Sequence, residues 1–247
     1  MDLRALIFDV NGTLIDIETN EGLEETYRFL AQFLAYQGIL ISRWDLRDLY
    51  FSTVKEQLAR SAERYPELDV VAAWREILRH KASDLSHELP PEKWNQLPTF
   101  LAEMHRSLSR IRLQLYPNVR QVLEGLRENY ALAAVTNALS AYSLPELRAV
   151  GLADLFNPVI VSGDFGYRKP DSRLFEQALH GLGVRADQAL FVGNDLEEDV
   201  AGARAVGLRT VLFAPGPRQI DPFSTQADYV IYHFADLPQA IQFLAGK

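Results

Sequence analysis

The sequence predicts an α/β fold: a parallel β-sheet with helices on both faces, interrupted after its first strand by an all-helical insertion. Three observations carry this. Leu3 to Val10 is a short apolar run closed by Asn11-Gly12, with the length and Ile-Phe content of a buried strand. From about Asp16 to about Ile111 the apolar residues recur at helical spacing. After Pro117 strand-like runs return and alternate with helical ones, which argues for βα units rather than a helix bundle.

Taken in order, Leu23, Tyr27, Leu30, Phe33 and Leu34 mark a first helix that Gln37-Gly38 ends. Ser42 with Asp45 resembles a capping box, and Leu46, Leu49, Tyr50, Val54 and Leu58 form the face behind it. Val70 to Leu85 and Glu92 to Ile111 read as further helical stretches, the second interrupted by Pro98. Then come a helix Val119 to Asn129 and a strand Ala131 to Thr136. Ser143-Leu-Pro-Glu146 reads as a capping box with proline in the first turn. Pro158 to Ser162 is strand-like, Asp171 caps a helix through Leu182, and Ala189 to Val192 is a strand ending at Gly193. A helix to Gly207, strands Thr210 to Phe213 and Tyr229 to Tyr232, and a helix Leu237 to Leu244 complete the series. The expected division is a Rossmann-like core made of residues 1–15 and 114–247, with a helical domain of residues 16–113 between them.

Composition narrows the function. With 247 residues, 48% hydrophobic and 23% charged, the chain can bury a sizeable core. A net charge of -8 opposes phosphate-rich polymers, so no nucleic-acid partner is expected. A small anionic substrate is still compatible, because a local site can be positive within a negative surface. The absence of cysteine removes disulfides, thiol catalysis and thiolate metal sites, and fits a cytoplasmic location. The segment MDLRALIFDVNG does not read as a signal peptide, and no apolar run reaches the roughly 18 residues of a membrane span. The five histidines form no zinc pattern.

Open parallel sheets bind ligands at the carboxyl ends of their strands. The polar residues collect there: Phe8-Asp9-Val10-Asn11-Gly12-Thr13, then Thr136-Asn137, then Arg168-Lys169-Pro170-Asp171, then Gly193-Asn194-Asp195 with Glu198 and Asp199 beyond. Singly, each has a plain structural reading. Asp9 can cap a turn, Thr136-Asn137 can be a strand-to-helix turn, Lys169 can be a solvated loop lysine, and Gly-Asn-Asp can start a helix. Their convergence on one sheet edge is what those readings explain poorly.

These four segments, in this order, resemble the motifs of the haloacid dehalogenase-like (HAD) hydrolase superfamily: FDVNGTL, TN, RKPD and GNDLEEDVAGA. The helical stretch after the first of them is similar to the family's cap. The resemblance covers essentially the whole core and is specific for the superfamily, not for a substrate. It implies that Asp9 is a nucleophile that becomes a covalent ester. It implies that Thr136 and Asn137 bond the group in transfer, and that Lys169 keeps Asp9 ionised and offsets substrate charge. Thr13 and Asp199 would stand behind these groups. It also implies Mg²⁺, held by Asp9, the Asn11 carbonyl and acidic residues of the fourth motif, an oxygen set that suits that ion. The charge is needed, since a carboxylate attacking a phosphate dianion is a like-charge encounter.

Two positions depart from the family pattern. Phosphatases of the family carry an Asp two residues after the nucleophile, as general acid and base; here it is Asn11, whose amide shuttles no proton. In the fourth motif Asn194 stands where the first acidic residue belongs. Either Asn194 faces the metal with Asp199 behind it, or Asp195 and Asp199, four apart on one helix face, form the pair. The second register, with Asp195 near the metal, is preferred. Glu197 and Glu198 read as solvated. The expected function is a Mg²⁺-dependent phosphatase acting on a small soluble phosphorylated metabolite with a good leaving group. The alternatives are a 2-haloacid dehalogenase, whose halide needs no proton, and a weak or inactive binding protein. Asn11 is alternatively an engineered trap for Asp, or a deamidation site, since Asn-Gly is prone to it. Arg43, Trp44, Arg47, Tyr50 and Lys55 are available over a substrate, although such helix faces more often pack and solvate.

Overall fold

The computed structural model describes residues 2–216 and 225–246. Strand β1 (Ala5–Phe8) is followed by β2 (Ile15–Thr19) and by helices α1 (Glu24–Tyr36), α2 (Arg43–Arg60), α3 (Val70–Lys81), α4 (Asp84–His87) and α5 (Pro91–Ser109). Strand β3 (Arg110–Leu115) leads to α6 (Val119–Leu126), β4 (Ala131–Thr136), α7 (Ser140–Ala149) and β5 (Val159–Val161). Then come α8 (Ser172–Leu182), β6 (Ala189–Gly193), α9 (Gly202–Ala205), β7 (Arg209–Phe213), β8 (Tyr229–Ile231) and α10 (Leu237–Ala245).

The side-chain alternation of β1 shows the layering. Leu6 and Phe8 point into a cluster with Val119 and Leu123 of α6 and Ile241 of α10. Ala5 and Ile7 point the other way, into a cluster with Leu174 and Phe175 of α8 and Ala203 of α9. A strand buried on both faces must be apolar throughout, which is why Ala-Leu-Ile-Phe is fully enclosed. The sheet is parallel, in the order β5-β4-β1-β6-β7-β8. The α/β expectation therefore holds. No helix among the described residues is long and apolar enough to cross a membrane.

Helices α1, α2, α3 and α5 bury their own cluster, built on Tyr27, Leu30, Tyr50, Trp74, Ile77 and Leu101. Two local expectations fail here and in α7. Pro98 does not interrupt α5, which runs on through it. Pro98 sits with Leu97, Leu101, Ala102 and His105 among the helix's buried residues, and that burial outweighs the hydrogen bond proline forfeits. Ser143 is not an N-cap. The helix has already begun at Ser140, Ser143 N–H donates to Leu139, and its hydroxyl has no partner. Glu146, expected to complete that box, instead pairs with Arg106 across 2.7 Å. The sequence also did not reveal β2 and β3, which pair antiparallel, Ile15 opposite Leu115 and Ile17 opposite Leu113. Through them the chain leaves the core and returns.

His105 lies inside the helical cluster, 1% exposed, its Nε2 3.2 Å from Tyr27 Oη and its ring 4.6 Å from that of Tyr50. Burial lowers its pKa to about 4, against an ordinary 6.5. Between these values the unfolded chain binds a proton that the folded chain refuses, so stability falls as pH falls through this window, by as much as about 3 kcal/mol. Thermal melts at pH 7 and pH 5 check this. In His105→Phe the loss between the two pH values should shrink, while Tyr27 keeps its bond to the Glu21 carbonyl. An unchanged loss would refute it.

Candidate active site

β1 has β4 on one side and β6 on the other, with Phe8 opposite both Ala134 and Val192. From these neighbours the chain winds outward in both directions, to β5 and to β7 and β8, so a crevice opens beyond the carboxyl ends of the three central strands. Asp9 follows β1, Thr136 ends β4 and Asn194 follows β6. The turn after Asp9 closes on Gly12 at φ 88°, where a Cβ would stand 2.7 Å from the Asn194 side chain. Glycine is required there on both counts.

The centre is a buried charge cluster. Lys169 Nζ donates to Asp9 Oδ1 and to Asp199 Oδ1, each at 2.6 Å. Thr13 Oγ1 donates to Asp9 Oδ2 at 2.8 Å. Asp199 Oδ2 accepts from the backbone N–H groups of Asn194 and Asp195, both at 3.0 Å. A Cβ on Gly193 would lie 2.4 Å from that oxygen, so glycine permits the approach. Burial pushes the Asp9 carboxyl up to about 6, opposed by the Lys169 ammonium and reinforced by the Asp199 charge. Burial also works against the ammonium, but Asp199 and Asp9 outweigh it and hold its pKa above the usual lysine value.

Asp9, Thr13, Lys169, Asp199 and Asn194 are thus brought together. Asp195 is not. Its Oδ1 accepts from the N–H groups of Glu197 and Glu198 and caps the next turn. That turn, Leu196–Ala201, is a wide π-turn in which the Asp195 carbonyl accepts from both Asp199 and Val200. The extra residue breaks the four-residue spacing on which the Asp195–Asp199 register relied. Asp199 turns inward and Asp195 outward, and Asn194 takes the place beside Asp9. Asn137 also differs from expectation. Its Oδ1 accepts from Lys169 N–H at 2.8 Å, and its Nδ2 donates to Glu198 Oε2 at 2.9 Å and to the Lys169 carbonyl at 3.3 Å. It clamps the lysine loop rather than presenting a free amide. Glu198 is accordingly no solvated residue; it is half-buried, and burial raises its pKa. Thr136 Oγ1 is buried with no hydrogen-bond partner.

The residues fit a hard cation. One end of the Asn194 amide stands 3.2 Å from Asp9 Oδ2 and 3.3 Å from the Asn11 carbonyl oxygen. With nitrogen there, the amide donates to both. With oxygen there, three oxygens converge, the donor chemistry Mg²⁺ requires, with a single formal negative charge among them.

Asn11 opens onto a cleft of about 160 Å³ between the core and the helical part, lined among others by Glu21, Tyr50, Glu67, Arg106 and Tyr142. Arg106 is held there by Glu146, which takes Nε at 2.7 Å and Nη2 at 3.2 Å, and by the Tyr142 ring. Of the helical residues named from sequence, Tyr50 reaches this cleft. Glu21, Glu67 and Arg106 were missed, since nothing local distinguishes them from solvated charges.

A parallel sheet with a helical insertion after its first strand, and a buried carboxylate–lysine–carboxylate cluster at its carboxyl edge, defines a class of α/β hydrolases. The model of the haloacid dehalogenase-like hydrolase family matches residues 3–207, and the chain belongs to that family. A phosphoserine phosphatase from Thermus thermophilus is 36% identical over 235 residues, covering 89% of this chain and 92% of that protein. A phosphoglycolate phosphatase from Yersinia pseudotuberculosis is 28% identical over 247 residues, covering 97% and 93%. Among solved structures, a 2-haloacid dehalogenase from Pseudomonas syringae pv. Tomato superimposes with a TM-score of 0.74 at 25% identity, covering 98% of this chain and 99% of that one.

Proposed function

We propose that this chain is a phosphatase that hydrolyses a small soluble phosphomonoester through a phospho-aspartyl intermediate on Asp9, with residues 16–113 acting as a helical cap over the cleft. The observation that carries this is the Asp9 carboxylate held 2.6 Å from the Lys169 ammonium at the end of the first strand. An Asp9 oxygen attacks phosphorus as the bond from phosphorus to the leaving oxygen breaks; water then attacks the phosphoryl group and frees Asp9. Lys169 offsets the charge of the approaching dianion. The unpartnered Thr136 hydroxyl supplies a donor for a phosphoryl oxygen. Mg²⁺, held by Asp9, the Asn11 carbonyl and the Asn194 amide oxygen, would neutralise phosphoryl charge when bound. Asn11 cannot protonate the leaving oxygen, so the reading favours esters with good leaving groups.

The Thermus relative's name points to O-phosphoserine. Arg106 and Glu21, both on the cleft, offer a guanidinium and a carboxylate to the charges of an amino acid. The test is hydrolysis of an aryl phosphate with and without Mg²⁺, alongside Asp9→Ala, followed by O-phosphoserine against phosphoglycolate. Metal-dependent turnover that disappears in Asp9→Ala is expected. Turnover that survives Asp9→Ala sinks the reading. The likeness to a dehalogenase, with Asn11 in place of the acid, favours a second reading: metal-independent halide release from a 2-haloacid. Absence of that release removes it.

A further inference from the structure

One segment of the helical part reaches across to the loops that hold the charge cluster. Tyr65 to Glu67, between α2 and α3, runs antiparallel to Gly166 to Arg168, the residues just before Lys169. Arg168 N–H donates to the Tyr65 carbonyl at 2.9 Å, Glu67 N–H donates to the Gly166 carbonyl at 3.0 Å, and Pro66 bridges to Tyr167. The Glu67 side chain makes a further link. Its Oε2 accepts from the hydroxyl of Ser162, a residue with no exposure, and its Oε1 accepts from Leu68 N–H at 2.9 Å. The Ser162 oxygen in turn accepts from Ala138 N–H at 2.9 Å. Ala138 adjoins Asn137, whose amide grips the backbone of Lys169. The bonds form a closed ring, from Glu67 through Ser162, Ala138, Asn137 and Lys169 to Arg168 and back through Tyr65. The ring runs through the helical part and adds to bonds inside the core, where Gly163 N–H donates to the Ala138 carbonyl at 2.9 Å and Gly166 N–H to the Ser162 carbonyl at 3.1 Å.

We propose that Glu67 is a positioning residue: through Ser162 it braces the loop of Asn137, and through its backbone the loop of Lys169, so that the seated helical part tightens the placement of both for reaction at Asp9. No cation pairs with Glu67 among the described residues, and its carboxylate is satisfied by a hydroxyl and a backbone N–H instead. This is a geometry that orients donors more than it stores Coulomb energy. A small displacement of a reacting group is costly, on the order of a hundredfold for about 1 Å. The inference rests on the phosphatase reading for its consequence, and on geometry alone for the ring.

The test compares Glu67→Ala with Glu67→Gln, which keeps an acceptor for Ser162. On an aryl phosphate, Glu67→Ala should lower kcat about ten- to a hundredfold with little change in KM, and Glu67→Gln should recover most of it. Amide hydrogen exchange gives a readout that needs no activity. In Glu67→Ala, exchange should rise at residues 136–138 and 165–169 while the interior of α1, α3 and α5 stays protected. Unchanged exchange in both loops overturns the proposal. So does equal impairment of both variants with exchange rising throughout the helical part, the mark of a merely structural role. If the native protein turns over nothing and forms no beryllium fluoride adduct on Asp9, the phosphatase reading falls, while exchange still decides the ring.

Discussion

Asn11→Asp is expected to raise kcat for an alkyl phosphate by about 10²- to 10⁴-fold, the contribution of a positioned general acid. Asn11 lies two residues beyond Asp9 and lines the cleft, and its carbonyl oxygen stands 3.3 Å from the Asn194 amide. Replacing amide by carboxyl leaves the backbone contact intact and adds one group able to give a proton to the leaving oxygen. An aryl phosphate, whose phenolate leaves without a proton, should gain far less. The ratio of the two gains is therefore the diagnostic quantity, obtained from steady-state kinetics on both substrates. Equal gains would mean that the carboxylate acts through charge or metal affinity, and no gain would mean that residue 11 plays no acid role. A native protein silent on both substrates but awakened by Asn11→Asp would identify a binding protein built on a hydrolase site. Mass spectrometry of the peptide spanning Asn11-Gly12 must accompany the assay, because deamidation there would lend the native sample some activity of the variant.

Lys169→Met should cost about 3–5 kcal/mol of stability at pH 8, the usual penalty for removing one member of a buried charge group. Asp9 and Asp199 both contact Nζ at 2.6 Å, and without the ammonium two buried carboxylates are left facing each other. The cost should depend on pH in a definite sense. Asp9 already stands raised to about 6 by burial with the lysine in place, and loss of the lysine moves it further up. A carboxyl raised in the folded state binds a proton that the unfolded chain has released. Its stabilisation is therefore full below the unfolded value and is lost as pH rises through the folded one. Urea denaturation at pH 5.5 and pH 8 should show the gap between Lys169→Met and the native chain narrowing at the lower pH. A gap independent of pH would mean that the carboxylates relax into solvent instead. Turnover on an aryl phosphate should be lost at both.

How much of this was legible beforehand follows from where the information lies. β1 could be read because a strand buried on both faces must be apolar throughout, and Ala5 to Phe8 is. Asp9 and Thr136 could be read because they stand at strand ends, and Lys169 because it sits in the RKPD motif. Asp195 stands apart from the cluster because it caps a π-turn, which differs from an α-turn by one residue, and no local signal in Leu196 to Ala201 marks the difference. Pro98 reads as a break and Pro145 as a first-turn proline because propensity is local, whereas both lie inside helices held by packing from elsewhere. β2 and β3 escaped notice because each is short and their pairing spans nearly the whole helical part. Glu67, Arg106 and Glu198 act through partners distant in sequence or around the π-turn, so each reads alone as an ordinary surface charge.

The ribbon of β2 and β3 has a consequence for how the molecule can assemble. Bringing together the ends of a flexible loop of about 90 residues costs roughly 4 kcal/mol of chain entropy, and the cost grows only logarithmically with length. The ladder from Ile15–Leu115 to Thr19–Arg110 fixes those ends side by side at the edge of the core. Once it has zipped, the core strands on either side of the insertion meet as if joined by a short hairpin. Further residues added to the helical part would then barely change the entropy of closing the sheet. The length and makeup of the helical part are thereby uncoupled from the folding of the sheet that carries Asp9.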